Sequence, residues 1–93
     1  MKLKTAHAQE ILRYLALGDL EMVKKEAEEL ERVTVEAGFD GKDEEYRGYG
    51  REFLRTVRRL TLEAANGNLA GAYYQFSRMT GVCFACHEHM RGK

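Results

Sequence analysis

Apolar positions recur along this chain every three or four residues, the period of an amphipathic helix, and the recurrence is interrupted three times. Leu3, Ile11, Tyr14 and Leu15, with His7 as the polar member of the same stripe, form a first segment that stops at Gly18-Asp19. Glycine can end a helix there in the left-handed region, and aspartate can cap the next one. Leu20, Val23, Ala27, Leu30 and Val33 carry the second segment, which fades near Gly38. Its opposite side, with Lys24, Lys25, Glu28, Glu29 and Arg32, reads as a solvated face. Phe39-Asp40-Gly41-Lys42-Asp43 reads as a loop, with Asp43 as a candidate cap. The third helix runs through Tyr46, Gly50, Phe53, Val57, Leu60 and Ala64 to the turn Asn66-Gly67-Asn68. The fourth is expected to bury Tyr73, Phe76, Thr80, Cys83, His87 and Met90.

Four amphipathic helices joined by two tight turns and one short loop predict an all-α fold, an antiparallel up-down-up-down four-helix bundle forming one domain over 1–93. The segments are too short and too interrupted for a coiled coil. The absence of proline and tryptophan agrees with an all-helical chain. Fifteen basic and fifteen acidic residues balance, so no nucleic-acid partner or anionic membrane is expected. No apolar run reaches the length of roughly 18 residues that spans a bilayer, so no transmembrane segment is expected. The start, Met1-Lys2-Leu3-Lys4, lacks the apolar core of a signal peptide, so an exported protein of this sequence would be a mature form. At 93 residues, a bound group that completes the core would add stability that a small domain otherwise lacks.

The chemistry is concentrated in Cys83-Phe84-Ala85-Cys86-His87. This is the haem-attachment pattern: two thiols spaced to meet the two vinyl groups of a porphyrin, and a histidine beside the second thiol to reach the iron. On a helix, positions 83, 86 and 87 share one side, so all three side chains can address one flat ring. Three other readings compete. A zinc site would use Cys83, Cys86 and two of His7, His87 and His89, but normally draws its second ligand pair from a separate segment. A dithiol redox centre would sit at a strand-turn-helix junction, and no strand is evident. Two inert cysteines would leave His87 unexplained. A disulfide between neighbours on one helix is poorly placed to form.

The motif and the segment Leu62-Glu63-Ala64-Ala65-Asn66-Gly67-Asn68-Leu69 before it resemble the cytochrome c prime group, the four-helix-bundle class II cytochromes c. The first half is similar in pattern only, with a shorter first helix. The resemblance implies one covalent haem c per chain held by Cys83 and Cys86, and His87 as the proximal iron ligand. It also implies a periplasmic or otherwise exported location, where haem is attached. Arg91 lies where the family often places a basic residue near the haem. Without the family, it is equally a helix-end cation facing the last carbonyls. Family members often dimerise through their first two helices, and the charge on those helices here leaves a homodimer open.

In an up-down-up-down bundle the end of the fourth helix lies beside residues 1–11, 30–34 and 46–53, which excludes Met22 and Met79 from the iron. His89, two positions after His87, points to another face and is expected at the surface. His7 is the candidate distal ligand, on the apolar stripe of the first helix. Counting about 18 residues of the fourth helix at 1.5 Å each puts the haem level with residues 1–4, leaving His7 about a turn too low. The tilt of its side chain toward the helix start recovers part of that distance. Leu3 would instead leave an apolar, five-coordinate pocket. Tyr46, Tyr49 and Phe53 either line the ring or belong to ordinary core. Gly48 and Gly50 mark either a close backbone approach to the ring or a loose first turn. The expectation is therefore a mono-haem cytochrome that passes single electrons to redox partner proteins. The alternative is a five-coordinate haem that binds nitric oxide or carbon monoxide. A zinc-stabilised interaction module is a third class. No acid/base pair or activated nucleophile is visible, so no turnover enzyme is expected.

Overall fold

Two turns of the same construction organise the bundle. After residue 17, the Gly18 N–H donates to the Leu15 carbonyl and the Asp19 N–H to the Tyr14 carbonyl. After residue 65, Gly67 donates to Ala64 and Asn68 to Glu63 in the same pattern. This is the Schellman ending, and it needs a residue at positive φ. Gly18 (73°) and Gly67 (74°) supply it without a Cβ clash. The next residue then caps the following helix: the Asp19 carboxylate accepts from the Met22 N–H, and the Asn68 side chain from the Gly71 N–H. Each turn thus reverses the chain within two or three residues.

The computed structural model describes residues 2–38 and 43–92, the side chains of 2 and 3 excepted. Helix α1 spans Lys2–Leu17, α2 Leu20–Ala37, α3 Glu44–Ala65 and α4 Leu69–Arg91. No strand occurs among the described residues. The expected loop at 39–42 lies outside them, but Asp43 does cap α3, accepting from the Tyr46 N–H at 2.7 Å. The protein is an all-α four-helix bundle. Its radius of gyration, 12.9 Å, is that of a folded chain of this length.

Ile11 and Leu15 of α1, Val23, Ala27 and Leu30 of α2, and Phe53, Val57, Leu60 and Ala64 of α3 meet Ala72, Phe76 and Met79 of α4 in one core. The centres of the stripes expected for the first three helices are buried, while His7, Tyr14, Leu20 and Tyr46 at their margins are half-buried, Leu3 lies outside the described side chains, and Thr34 rather than Val33 closes the α2 stripe. The Thr34 hydroxyl is satisfied by donating to the Leu30 carbonyl. On α4 the expected stripe is displaced. Phe76 is buried as expected and Cys83 partly so, but Tyr73, Thr80, His87 and Met90 are exposed, and Ala72, Gln75 and Met79 are buried in their place. The reason lies in the packing: α4 lies closely along α3, whereas α1, the shortest helix, approaches it only sparsely. The side of α4 that α1 would cover is left open.

Candidate functional site

The open seam widens into a cavity of about 210 Å³ at the end of the bundle that holds the cysteines. Along α4, Cys83 stands one turn past the buried Met79. Cys86 follows one turn later, and His87 lies one turn beyond Cys83 on the adjoining edge, so 83, 86 and 87 all reach one wall. Thr80 and Val82 extend that wall. Tyr46, Tyr49, Gly50 and Phe53 of α3 form the second wall. Of the two glycines in this stretch, Gly50 is buried at the cavity. Gly48 is not at a close approach, since an added Cβ would meet only the Arg51 guanidinium at 3.7 Å. The third side belongs to α1, with Lys4, Thr5 and Ala8. The Lys4 ammonium sits 5.1 Å from the centre of the Phe53 ring, a favourable cation–π placement.

Both thiols are free and partly buried. Burial pushes each above its ordinary value of 9.0, and the charge of Lys4 opposes the shift at both. They are therefore neutral thiols near pH 7. That disfavours the dithiol redox reading, because reactive cysteines of that kind have depressed values and a large thiolate fraction. A zinc site finds no donor set either: among the described residues, no group of three or more His, Cys, Asp or Glu is arranged to hold a metal ion.

The other two histidines are engaged elsewhere. His7 faces α2, where its Nδ1 meets the Glu26 carboxylate at 2.8 Å, and it does not line the cavity. The stripe it shares with Ile11 straddles the edge of α1, and a carboxylate on α2 draws the ring to that side. His89 does point to a different face from His87, but it does not lie at the surface as expected. Its side chain is only 11% exposed, with Nε2 3.2 Å from Asp43 and Nδ1 2.9 Å from Glu45. The ring packs at 5.8 Å on Tyr49. It pins the end of α4 to the start of α3. Arg91 is exposed, pairs with Glu88 and stands off the cavity. Tyr49 and Phe53 line it, and the side chain of Leu3 lies outside the described residues. Met79 is fully buried in the core and does not reach the cavity.

Sequence reasoning put the site level with residues 1–4 but singled out neither Lys4, Thr5 and Ala8 nor Val82. The signal for Thr5 and Ala8 was a run of small and uncharged residues on one side of α1, which hydrophobic periodicity alone does not register. The family models, the curated proteins and the solved structures compared with this chain gave no match.

Proposed function

We propose that this protein is a mono-haem c-type cytochrome that carries single electrons between redox partner proteins. The observation that carries the reading is the convergence of Cys83, Cys86 and His87 on one apolar cavity with Tyr49 and Phe53 on the adjacent wall. The residues present fit the group. Two neutral thiols on one wall suit thioether attachment, His87 beside them suits iron, and the ring-lined wall suits a porphyrin face. Lys4 brings a positive charge to the cavity edge, complementary to the acidic groups of haem. Bound haem supplies an iron centre that takes up and releases one electron. Cys83 and Cys86 hold the group, His87 orients it from one side, and Phe53, Tyr49 and Val82 exclude water. The cavity is smaller than the roughly 300–1,000 Å³ of small-molecule pockets, so accommodation falls on the sparsely packed α1–α4 seam, the one most easily spread. Covalent attachment of this kind implies an exported, periplasmic location.

A second reading, reversible binding of nitric oxide or carbon monoxide, is favoured by one observation: His7 is bonded to Glu26 rather than turned into the cavity. That leaves the α1 side of the cavity to Lys4, Thr5 and Ala8, with no histidine among them. Production in a host equipped for haem attachment tests both readings. A red protein whose haem survives denaturing electrophoresis is expected, and the Cys83→Ala/Cys86→Ala variant should lose it. A colourless wild-type protein would sink the cytochrome reading. An unchanged ferrous spectrum under carbon monoxide supports electron transfer at a closed iron, and a shifted one supports gas binding. If His7→Ala leaves the spectrum as it was, His7 is not a ligand.

A further inference from the structure

Charge balances over the whole chain but not over its surface. Residues 53–62 of α3 hold three arginines and no aspartate or glutamate. Arg55, Arg58 and Arg59, joined by Arg51 one turn earlier, stand on the side of α3 that faces away from its buried residues Phe53, Val57 and Leu60. With Leu54 and Leu62 they line a shallow groove of about 590 Å³ on the outside of the bundle. Leu62 is 59% exposed there.

Ion pairs within the chain do not neutralise this row. Glu44 is divided between Arg47 and Arg51, and Glu52 between Arg55 and Arg78. Arg58 meets Glu31 through its Nε alone, and Arg51 and Arg55 likewise use a single nitrogen each. Arg59 meets no carboxylate among the described residues. A guanidinium carries five N–H donors, so most of the donors along the groove are left for a ligand. The existing pairs are solvent-exposed and therefore weak, so an incoming carboxylate displaces them at little cost.

We infer that this groove docks an acidic helix of a partner protein, with its carboxylates over the arginines and an apolar side chain over Leu54 and Leu62. The planar fork of arginine matches a carboxylate with two parallel hydrogen bonds. Positions 51 to 62 span about 16 Å, or three turns. The guanidiniums thus rise at intervals that match glutamates three and four residues apart on a helix laid along α3 at a shallow crossing of about 20°. The leucines select a protein over other anions. A nucleic-acid backbone binds through its phosphates and gives leucine nothing apolar to cover. A helix that lies on a membrane sinks its apolar face into lipid, and the apolar face of α3 is already in the core. A groove this short makes a small, transient contact, below about 1,200 Å² in total, reached by electrostatic steering. Arg51 follows Gly50 of the cavity wall, so the docked partner lies one helix thickness, roughly 10 Å, from the cavity. The inference stands independently of the haem reading.

Fluorescence anisotropy with the full chain is the test. The probe is a stapled helical peptide of about 16 residues, long enough to span the groove, with glutamates three and four residues apart and leucines between them. It should bind at low salt and weaken by about tenfold or more at ~0.5 M salt, as screened contacts do. Arg59→Glu, which breaks no ion pair within the chain, and Arg55→Gln/Arg59→Gln should each weaken binding by about tenfold. Leu62→Ser should weaken it by about threefold, and helical circular dichroism should be retained in all three. A peptide with serine in place of its leucines should bind less tightly, and Lys25→Glu, on the outer side of α2, should change nothing. Absence of binding at low salt overturns the inference, as does binding that both arginine variants spare or a serine peptide that binds as tightly. Short duplex DNA or phosphatidylserine vesicles that bind more tightly than the peptide overturn it too. A wild-type dimer that Arg59→Glu dissolves assigns the groove to a second copy and also overturns it. A haem-loaded chain that fails these tests leaves the haem reading intact, and a colourless chain that passes them leaves this one intact.

Discussion

Gln75 shows how a single residue can work against the fold that contains it. It occupies the buried stripe of α4, and its Oε1 has no hydrogen-bond partner among the described residues. Thr34 and Thr56 are buried as well, but each hydroxyl donates to a carbonyl one turn back, on Leu30 and Phe53, so neither carries the desolvation penalty of an unpaired group. Gln75→Leu should therefore stabilise the protein by about 1 kcal/mol, read as a higher urea midpoint at unchanged slope. Nothing in the structure explains why glutamine stands there. The histidines teach the complementary lesson. His7, His87 and His89 look alike in the sequence, yet one faces Glu26, one lines the cavity and one is held between Asp43 and Glu45. The motif spacing singled out His87. The carboxylates that claim the other two are 19 residues or more away along the chain, beyond the reach of local pattern.

At the scale of elements, helix ends were legible because their chemistry is local: a glycine, then a capping side chain, within three residues. Asp43 has a second duty that only packing creates. Besides capping α3 it faces His89 from α4, at 3.2 Å. Asp43→Ala should cost about 1 kcal/mol for the cap and also speed amide exchange in the last turns of α4. Asp43→Asn should restore most of the cap while leaving that exchange fast. The first turn of α3 also carries a pH-dependent element. Hydrogen bonds from Arg47 and Arg51 hold the Glu44 carboxyl below its ordinary 4.5. A depressed carboxyl contributes stability that is present above the unfolded value and lost as pH falls through the lower folded one. Glu44→Gln should thus lower the urea midpoint slightly near pH 7, and the difference from the wild type should shrink as the pH falls through the folded-state value. The group is fully exposed, so the difference should be small and shrink further in high salt.

At the scale of the whole molecule, the bundle has three closely packed seams and one loose one, and the loose one holds the cysteines. A 93-residue domain with an incomplete seam is short of buried surface, so a group that fills the gap should stabilise the fold by binding the native state only. On the haem reading, the Cys83→Ala/Cys86→Ala variant should melt lower than the loaded wild type by at least roughly 8 °C, the equivalent of about 1–2 kcal/mol in a chain of this size. Calorimetry of the two checks this.

Local pattern sets the number of helices, their ends, the centres of the stripes of α1 to α3 and the shared side of Cys83, Cys86 and His87, because periodicity, capping and glycine turns act over a few residues. Which side of α4 is buried, where His7 and His89 go, and that Lys4, Thr5 and Ala8 complete the cavity follow instead from how the helices pack. Those outcomes depend on how closely one helix approaches another. On a helix as evenly apolar as α4, the pattern of residues offers several faces to bury, and it is the tight contact with α3 and the sparse one with α1 that select between them.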